Sequence, residues 1–335
     1  MVEQGIGTNR LRGGPVDLVF EGGGVKGIAL VGAFSVLEEE GYEPQNMAGA
    51  SAGAIVAALI AAGYGSSELK KIIAELDYNR FKDEALEDRF PLGAALSILK
   101  DLGIYEGEDF VEWMSGLLEA KKVRTFGDLV RREDIELRYR YKLQVIASDV
   151  TDRRLLVLPR DAPKLGIQDP DDIEVALAVR MSMSIPIFFE PVRFTNRETD
   201  REHLIVDGGM LSNFPVWLFD AETPQWPTFG LKLVQKDPKA SLAAELPQPV
   251  APRGGVSQVV GYLRSLVDTM MAAHDRLYIE EHDFEERTIA IDTLGVGTTE
   301  FDLSSQRARA LYQSGRDAAR KFLLKQRNRE EIPHP

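Results

Sequence analysis

The sequence predicts an α/β fold, with a mostly parallel central sheet flanked by helices. Three observations carry this expectation. Short apolar runs alternate with longer helical stretches, the pattern that lays strands side by side and covers them with helices. The first run, residues 16–20, leads directly into the glycine-rich turn Glu21-Gly22-Gly23-Gly24-Val25-Lys26-Gly27. The second, residues 46–50, ends in Gly49-Ala50-Ser51-Ala52-Gly53, which sets a serine at the corner between a strand and the helix after it.

The elements follow in order. Residues 16–20 read as strand, 25–41 as helix, 46–50 as strand and 52–62 as helix. Residues 66–76 form a helix with Ser66 or Ser67 as its cap and Glu68 in the first turn. Residues 142–147 and 154–158 read as paired strands around Ser148-Asp149-Val150-Thr151. Helix 173–181 precedes strands 204–206 and 228–233, and two long amphipathic helices, 256–278 and 304–325, complete the chain. Residues 238–255, with Pro238, Pro247, Pro249 and Pro252, form a surface loop or linker.

Composition narrows the classes. The 335 residues can bury a sizeable core, and 44% hydrophobic content is that of an ordinary globular chain. A net charge of −13 provides no basic field for nucleic acid and argues mildly against steady attachment to anionic membranes. The absence of cysteine excludes disulfides and thiolate metal sites. There is no signal-peptide pattern at Met1–Gly5 and no apolar run approaching the roughly 18 residues of a membrane span. A cytoplasmic location is expected. Arg316, Arg320, Lys321, Lys325, Arg327 and Arg329 make a local basic run on the final helix. They read as charges complementing the helix dipole, with lipid head groups as the alternative contact.

The two glycine motifs carry the chemistry. A glycine turn after a strand lets backbone approach a ligand closely, and the N–H groups of the next helix face negative charge. Gly22-x-Gly24-x-x-Gly27 also fits a dinucleotide fingerprint, but the second strand ends at Gly49-Ala50-Ser51, with no carboxylate to hold a ribose. Ser51 has glycine at both ±2 positions and alanine on either side, so a strained elbow is sterically open there. A nucleophilic serine needs a base. The four histidines are His203, His274, His282 and His334. His334 is terminal, His282 lies in an acidic run, His274 falls on an apolar stripe, and His203 precedes a strand. The other candidate is Asp207, which ends an apolar strand and is followed by Gly208-Gly209; an Asp-Gly turn is its structural alternative.

These pieces, in this order, resemble the patatin-like phospholipase family of the bacterial type. The resemblance rests on Gly22–Gly27, on Gly49–Gly53, and on Asp207-Gly208-Gly209 with the Asn213-Phe214-Pro215 that follows. A further match is Ser182-Met183-Ser184-Ile185-Pro186-Ile187-Phe188-Phe189. It covers about residues 16–219; Ala50 and Met181 are modest departures. The resemblance implies a three-layer α/β/α fold and a lipid acyl hydrolase of the phospholipase A or lysophospholipase type. Ser51 would be the nucleophile and Asp207 the base, without histidine. Gly22, Gly23 and Gly24 would hold the oxyanion, with Lys26, Gly49, Gly53, Gly208 and Gly209 in support. For Lys26 a helix-side ion pair is the simpler role, attraction of an anionic head group the other.

The implied partners are phospholipid or lysophospholipid, with transient contact at a membrane surface, and no nucleic acid; no cofactor or metal is called for. The layout expected is an extension at 1–15, a catalytic domain at 16–235, a loop at 236–255 and a helical region at 256–335 packed on the same domain. Residues 78–105, rich in large apolar side chains including Leu96 and Leu99, read either as a mobile cover over Ser51 or as core. Two other classes stay open: a Ser–His–Asp esterase using His274 or His282, and a non-catalytic nucleotide- or lipid-binding module.

Overall fold

The computed structural model describes residues 13–74, 76, 107–131, 136–235, 266, 269–270, 286–298, 300 and 303–330. The expected helix 256–278, the loop 238–255, the segment 78–105 and His274, His282 and His334 all lie outside the described residues, apart from isolated positions in the first.

Eight strands form one sheet. They are β1 (Gly14–Phe20), β2 (Tyr42–Ala50), β3 (Leu143–Asp149), β4 (Arg154–Leu158), β5 (Val192–Asn196), β6 (Arg201–Asp207), β7 (Thr228–Val234) and β8 (Thr288–Asp292). The helices are α1 (Gly27–Glu39), α2 (Ala52–Ala61), α3 (Ser66–Ala74), α4 (Glu108–Ala120), α5 (Val175–Ser182) and α6 (Ser305–Glu330). Hydrogen-bonded neighbours run β5-β6-β3-β2-β1-β7-β8, with β4 also on β3. The pairs β1–β2, β1–β7, β2–β3 and β7–β8 are parallel; β3–β4, β3–β6 and β5–β6 are antiparallel.

Burial explains why the first elements form. From Val16 onward nearly every residue of β1 is buried on both faces, as a central parallel strand requires. Val16, Leu18 and Phe20 join the large core built with α1 and α2, while Val19 joins a second cluster with Tyr139, Ile146, Phe214 and Phe219. All ten residues of α2 are buried, so it is apolar on every side, as an interior helix should be. α1 packs against α3 and α6.

The arginines of α6 have a structural use that the charge run did not reveal. Arg316 reaches Glu39 at 2.7 Å and the Ser35 hydroxyl at 2.6 Å, Arg327 pairs with Glu40, and Arg329 pairs with Glu286 at 2.9 Å. These charges tie α6 to the end of α1 and to Glu286, two residues before β8. The C-terminal region is also not wholly helical, since β8 extends the sheet beyond β7.

Candidate active site

β2 ends at Ala50 and α2 begins at Ala52, leaving Ser51 as the corner. Its φ of 51° and ψ of −128° lie outside the favoured regions for a residue with a side chain. A backbone held there costs on the order of 1–3 kcal/mol, so its surroundings must enforce it. The two glycines explain how the turn closes. A Cβ on Gly49 would overlap the backbone of Gly53, and one on Gly53 would overlap the carbonyl oxygens of Phe20 and Glu21. The start of α2 therefore presses directly on the ends of β1 and β2. The Ser51 hydroxyl makes no capping bond to its own helix, although the residue is only 2% exposed.

The register brings Asp207 to this corner. Val145 and Ile146 pair with both β2 and β4, while Ala147, Ser148 and Asp149 pair with both β4 and β6. A strand has two edges, so β2 and β6 share one edge of β3 and run toward each other along it. Ala50 stands opposite Ile146, and Asp207 stands opposite Ala147, the next residue. The residue after Ala50 and the last residue of β6 thus meet head to head. Asp207 does close an apolar strand, but that strand is antiparallel to β3; it reaches the corner by approaching from the opposite direction.

Asp207 is fully buried. Its Oδ1 accepts from the Gly209 N–H at 2.7 Å, within the 3-10 turn Gly208–Met210. Burial raises its carboxyl from 3.8 to about 7, against the lowering effects of the Gly209 N–H and the Ser51 hydroxyl. Oδ2 has no fully formed hydrogen bond, so Ser51 stands close enough to favour the carboxylate without being aligned on it. Such loose geometry is common before a substrate binds.

The glycine loop is pinned from two sides. Gly22 donates its N–H to the Asn213 carbonyl at 3.0 Å and accepts from Asn213 Nδ2 at 3.0 Å. Its amide is thereby committed, unlike that of Gly23, which has no acceptor among the described residues. Gly24 adopts φ +55°, and a Cβ there would overlap the carbonyl oxygen of Thr298. The Val25 N–H donates to that carbonyl at 3.3 Å, and Lys26 Nζ donates to the Thr298 hydroxyl at 3.1 Å. Lys26 is thus tied to the loop between β8 and α6. Just before the glycines, buried Glu21 accepts from the Leu233 N–H and stands 4.0 Å from Lys232, anchoring the loop to β7.

His203 takes no part in this corner. It lies on β6 four residues before Asp207, about 13 Å away along an extended strand. Its Nδ1 is 3.0 Å from Asp149 Oδ2. Asp149, Asp152 and His203 bring ligand atoms within 4.8 Å of one another. However, Arg154 pairs with both carboxylates, at 3.2 Å and 2.9 Å, and Arg201 pairs with Asp152 at 2.5 Å. The group reads as a closed ion network rather than an open metal site.

Sequence reasoning did not give functional weight to Asn213, Ser182 or Thr298. Asn213 and Ser182 sit inside segments singled out for their motifs, whereas nothing marks Thr298, which acts mainly through its carbonyl.

Comparison with known proteins agrees with this architecture. A family model described as Patatin-like phospholipase matches residues 18–220. The chain is 39% identical over 311 residues to the protein YqhO of Bacillus subtilis (strain 168), covering 92% of this chain and 98% of that one. It is 23% identical over 199 residues to the probable lipid hydrolase 463L of Invertebrate iridescent virus 6, covering 59% of this chain and 61% of that one. Its fold is similar to the crystal structure of VipD from Legionella pneumophila, with a TM-score of 0.53 at 19% identity, covering 94% of this chain and 67% of that one. No described helix is long and apolar enough to cross a membrane. With more than half of its length matched by the family model, the chain belongs to the patatin-like phospholipase family.

Proposed function

We propose that this protein hydrolyses carboxylic esters of phospholipids or lysophospholipids, with Ser51 as nucleophile and Asp207 as its base. The observation that carries the reading is the head-to-head approach of β2 and β6 on one edge of β3, which brings a strained, uncapped serine to a buried aspartate. Asp207 takes the Ser51 hydroxyl proton as Oγ attacks the acyl carbonyl carbon. The oxyanion of the tetrahedral intermediate is met by backbone N–H groups of the glycine loop and the positive end of α2. Because the Gly22 amide is already given to Asn213, the Gly23 N–H is the better donor, and Gly22 shapes the loop. Asp207 returns the proton to the leaving alcohol and a serine ester remains. Water, deprotonated by Asp207, then attacks that ester, and Asp207 returns this proton to Ser51 Oγ as the fatty acid leaves.

Turnover of a phospholipid and of a short soluble ester by Ser51→Ala, Asp207→Asn, His274→Ala and His282→Ala tests this. Loss of a nucleophile costs about 10³–10⁶ in rate. The two site variants should fall by at least the lower figure, with their folds intact, and both histidine variants should keep most activity. A histidine variant as damaged as Ser51→Ala would replace the base. A Ser51→Ala protein retaining a tenth of wild-type turnover would overturn the reading, as would failure of a fluorophosphonate to label Ser51.

A further inference from the structure

The nucleophile and base named above are both held by one short segment, at the C-terminal end of α5. Ser51 donates its backbone N–H to the Ser182 hydroxyl at 2.9 Å, across 131 residues of sequence. Asp207 donates its backbone N–H to the Ser184 carbonyl at 2.9 Å. Ser182, Ser184 and Arg180 are all buried. The Ser184 hydroxyl donates to the Arg180 carbonyl at 2.8 Å and accepts from the Arg180 guanidinium, which also donates to the Glu190 carbonyl at 2.9 Å. The segment is thus fixed by an arginine and itself fixes the two residues that must meet.

We propose that Ser182 is a positioning residue, whose hydroxyl holds the Ser51 peptide in its unfavourable conformation and so aims Oγ at Asp207 and at the substrate. The inference rests on Ser51 being the nucleophile. The physical need is clear from the register. Ala50 is the last residue of β2 to pair with β3, so at Ser51 the chain leaves the ladder and its N–H loses a strand partner. The position is buried, and a buried N–H without an acceptor is costly. Ser182 Oγ supplies that acceptor from outside the sheet. The bond fixes the plane of the Ala50–Ser51 peptide at the corner, and it is from this fixed plane that the chain turns through the unusual φ of 51° and ψ of −128° at Ser51. Without it, Ser51 is free to relax toward ordinary backbone angles, which swings Oγ away. Displacement of a reacting group by about 1 Å can cost 10²-fold in rate.

The test compares Ser182→Ala, Ser182→Cys and Ser182→Thr, with Ser51→Ala alongside, on a short soluble ester. Ser182→Ala should lower kcat by about 10–100-fold, with KM within about threefold of wild type. Labelling of Ser51 by a fluorophosphonate should slow by a similar factor, while circular dichroism shows a folded protein. Ser182→Cys keeps the side-chain size but offers a poor acceptor, and should resemble Ser182→Ala. Ser182→Thr keeps the oxygen and should recover most of kcat. If Ser182→Ala does not fold, the cysteine variant decides. A Ser182→Cys or Ser182→Ala enzyme with kcat within twofold of wild type overturns the proposal. So does a loss that only follows the folded fraction, or one that folded Ser182→Thr does not relieve. Turnover retained by Ser51→Ala would instead refute the nucleophile assignment itself, so the two failures are separable.

Discussion

If Asp207 is the base, the enzyme should lose activity in mild acid where an ordinary aspartate would not. Burial raises the Asp207 carboxyl from 3.8 to about 7, a shift worth about 4 kcal/mol. At pH 5 a group titrating near 7 is only about 1% ionised, whereas one at 3.8 would be more than about 90% ionised. Turnover should therefore fall about a hundredfold between a plateau above pH 8 and pH 5. The measurement is kcat/KM for a short soluble ester from pH 4.5 to 8.5, which reports the ionisation of the free enzyme. Stability should run the other way for this group. The native state holds the Asp207 proton between about pH 4 and 7 while the unfolded chain has released it, so the contribution of Asp207 to stability is lost as pH rises through about 7. Thermal melts at each pH thus separate titration from acid unfolding. A rate at pH 5 within threefold of the plateau, in a protein still folded, would refute the reasoning.

A methyl group at Gly53 should be poorly tolerated, because the atoms it meets are backbone carbonyls that cannot swing aside. Gly53→Ala is expected to lower stability by about 1–3 kcal/mol in chemical denaturation, and a wild-type midpoint would contradict the close packing of α2 on β1. Turnover should survive EDTA, since Arg154 and Arg201 occupy the carboxylates of the Asp149–Asp152–His203 group; loss on chelation, restored by calcium or zinc, would reverse that view. Asp17 is buried on β1, where desolvation raises its carboxyl to about 6 despite bonds from Asn46 and Trp226. The stability it contributes is lost as pH rises through about 6, so Asp17→Asn should show a smaller fall in melting temperature from pH 5 to pH 8 than wild type, and an unchanged difference would rule this out.

The parts of the fold nearest the site were the most legible. The ends of β1 and β2 that lead into the site, Leu18–Phe20 and Met47–Ala50, and all of α2 are buried, so they read as apolar runs, with glycine at Gly49 and Gly53. β5 and β8 were not read as strands. β5 sits at one end of the sheet with exposed, polar residues such as Arg193 and Thr195. β8 has only Ile289 and Ile291 to mark it within five residues. α4 did carry a signal, since Phe110, Met114 and Leu118 recur every four residues along its buried side. Within the site, the glycine motifs picked out Ser51 and Asp207 individually. Their meeting depends on β2 and β6 sharing an edge of β3, a long-range register that no local pattern encodes. The bonds that hold the corner span 131 residues from Ser51 to Ser182, 191 from Gly22 to Asn213 and 272 from Lys26 to Thr298.

Two aspartates near this edge of the sheet sit in different environments, and the role proposed for Asp207 as the base follows from that difference. Asp149 ends β3 and Asp207 ends β6, and both are buried. Asp149 has Arg154 at 3.2 Å and His203 at 3.0 Å, with the N–H groups of Thr151 and Asp152 on its other oxygen. A carboxylate so fully satisfied serves as an anchor for the β3–β4 turn. Asp207 has one backbone N–H and a neighbouring hydroxyl, and no cation figures among the causes of its shift. A nearby arginine would stabilise its charge and weaken it as a base. Withholding that arginine leaves a carboxyl that exchanges its proton near neutral pH, the range where proton transfer is most effective. An aspartate can then do the work for which many hydrolases recruit histidine, at a cost in stability that rises with pH. The bonds from Ser182 and Ser184 matter most in such a site, because a base of this kind gives no strong ion pair of its own to hold the corner together.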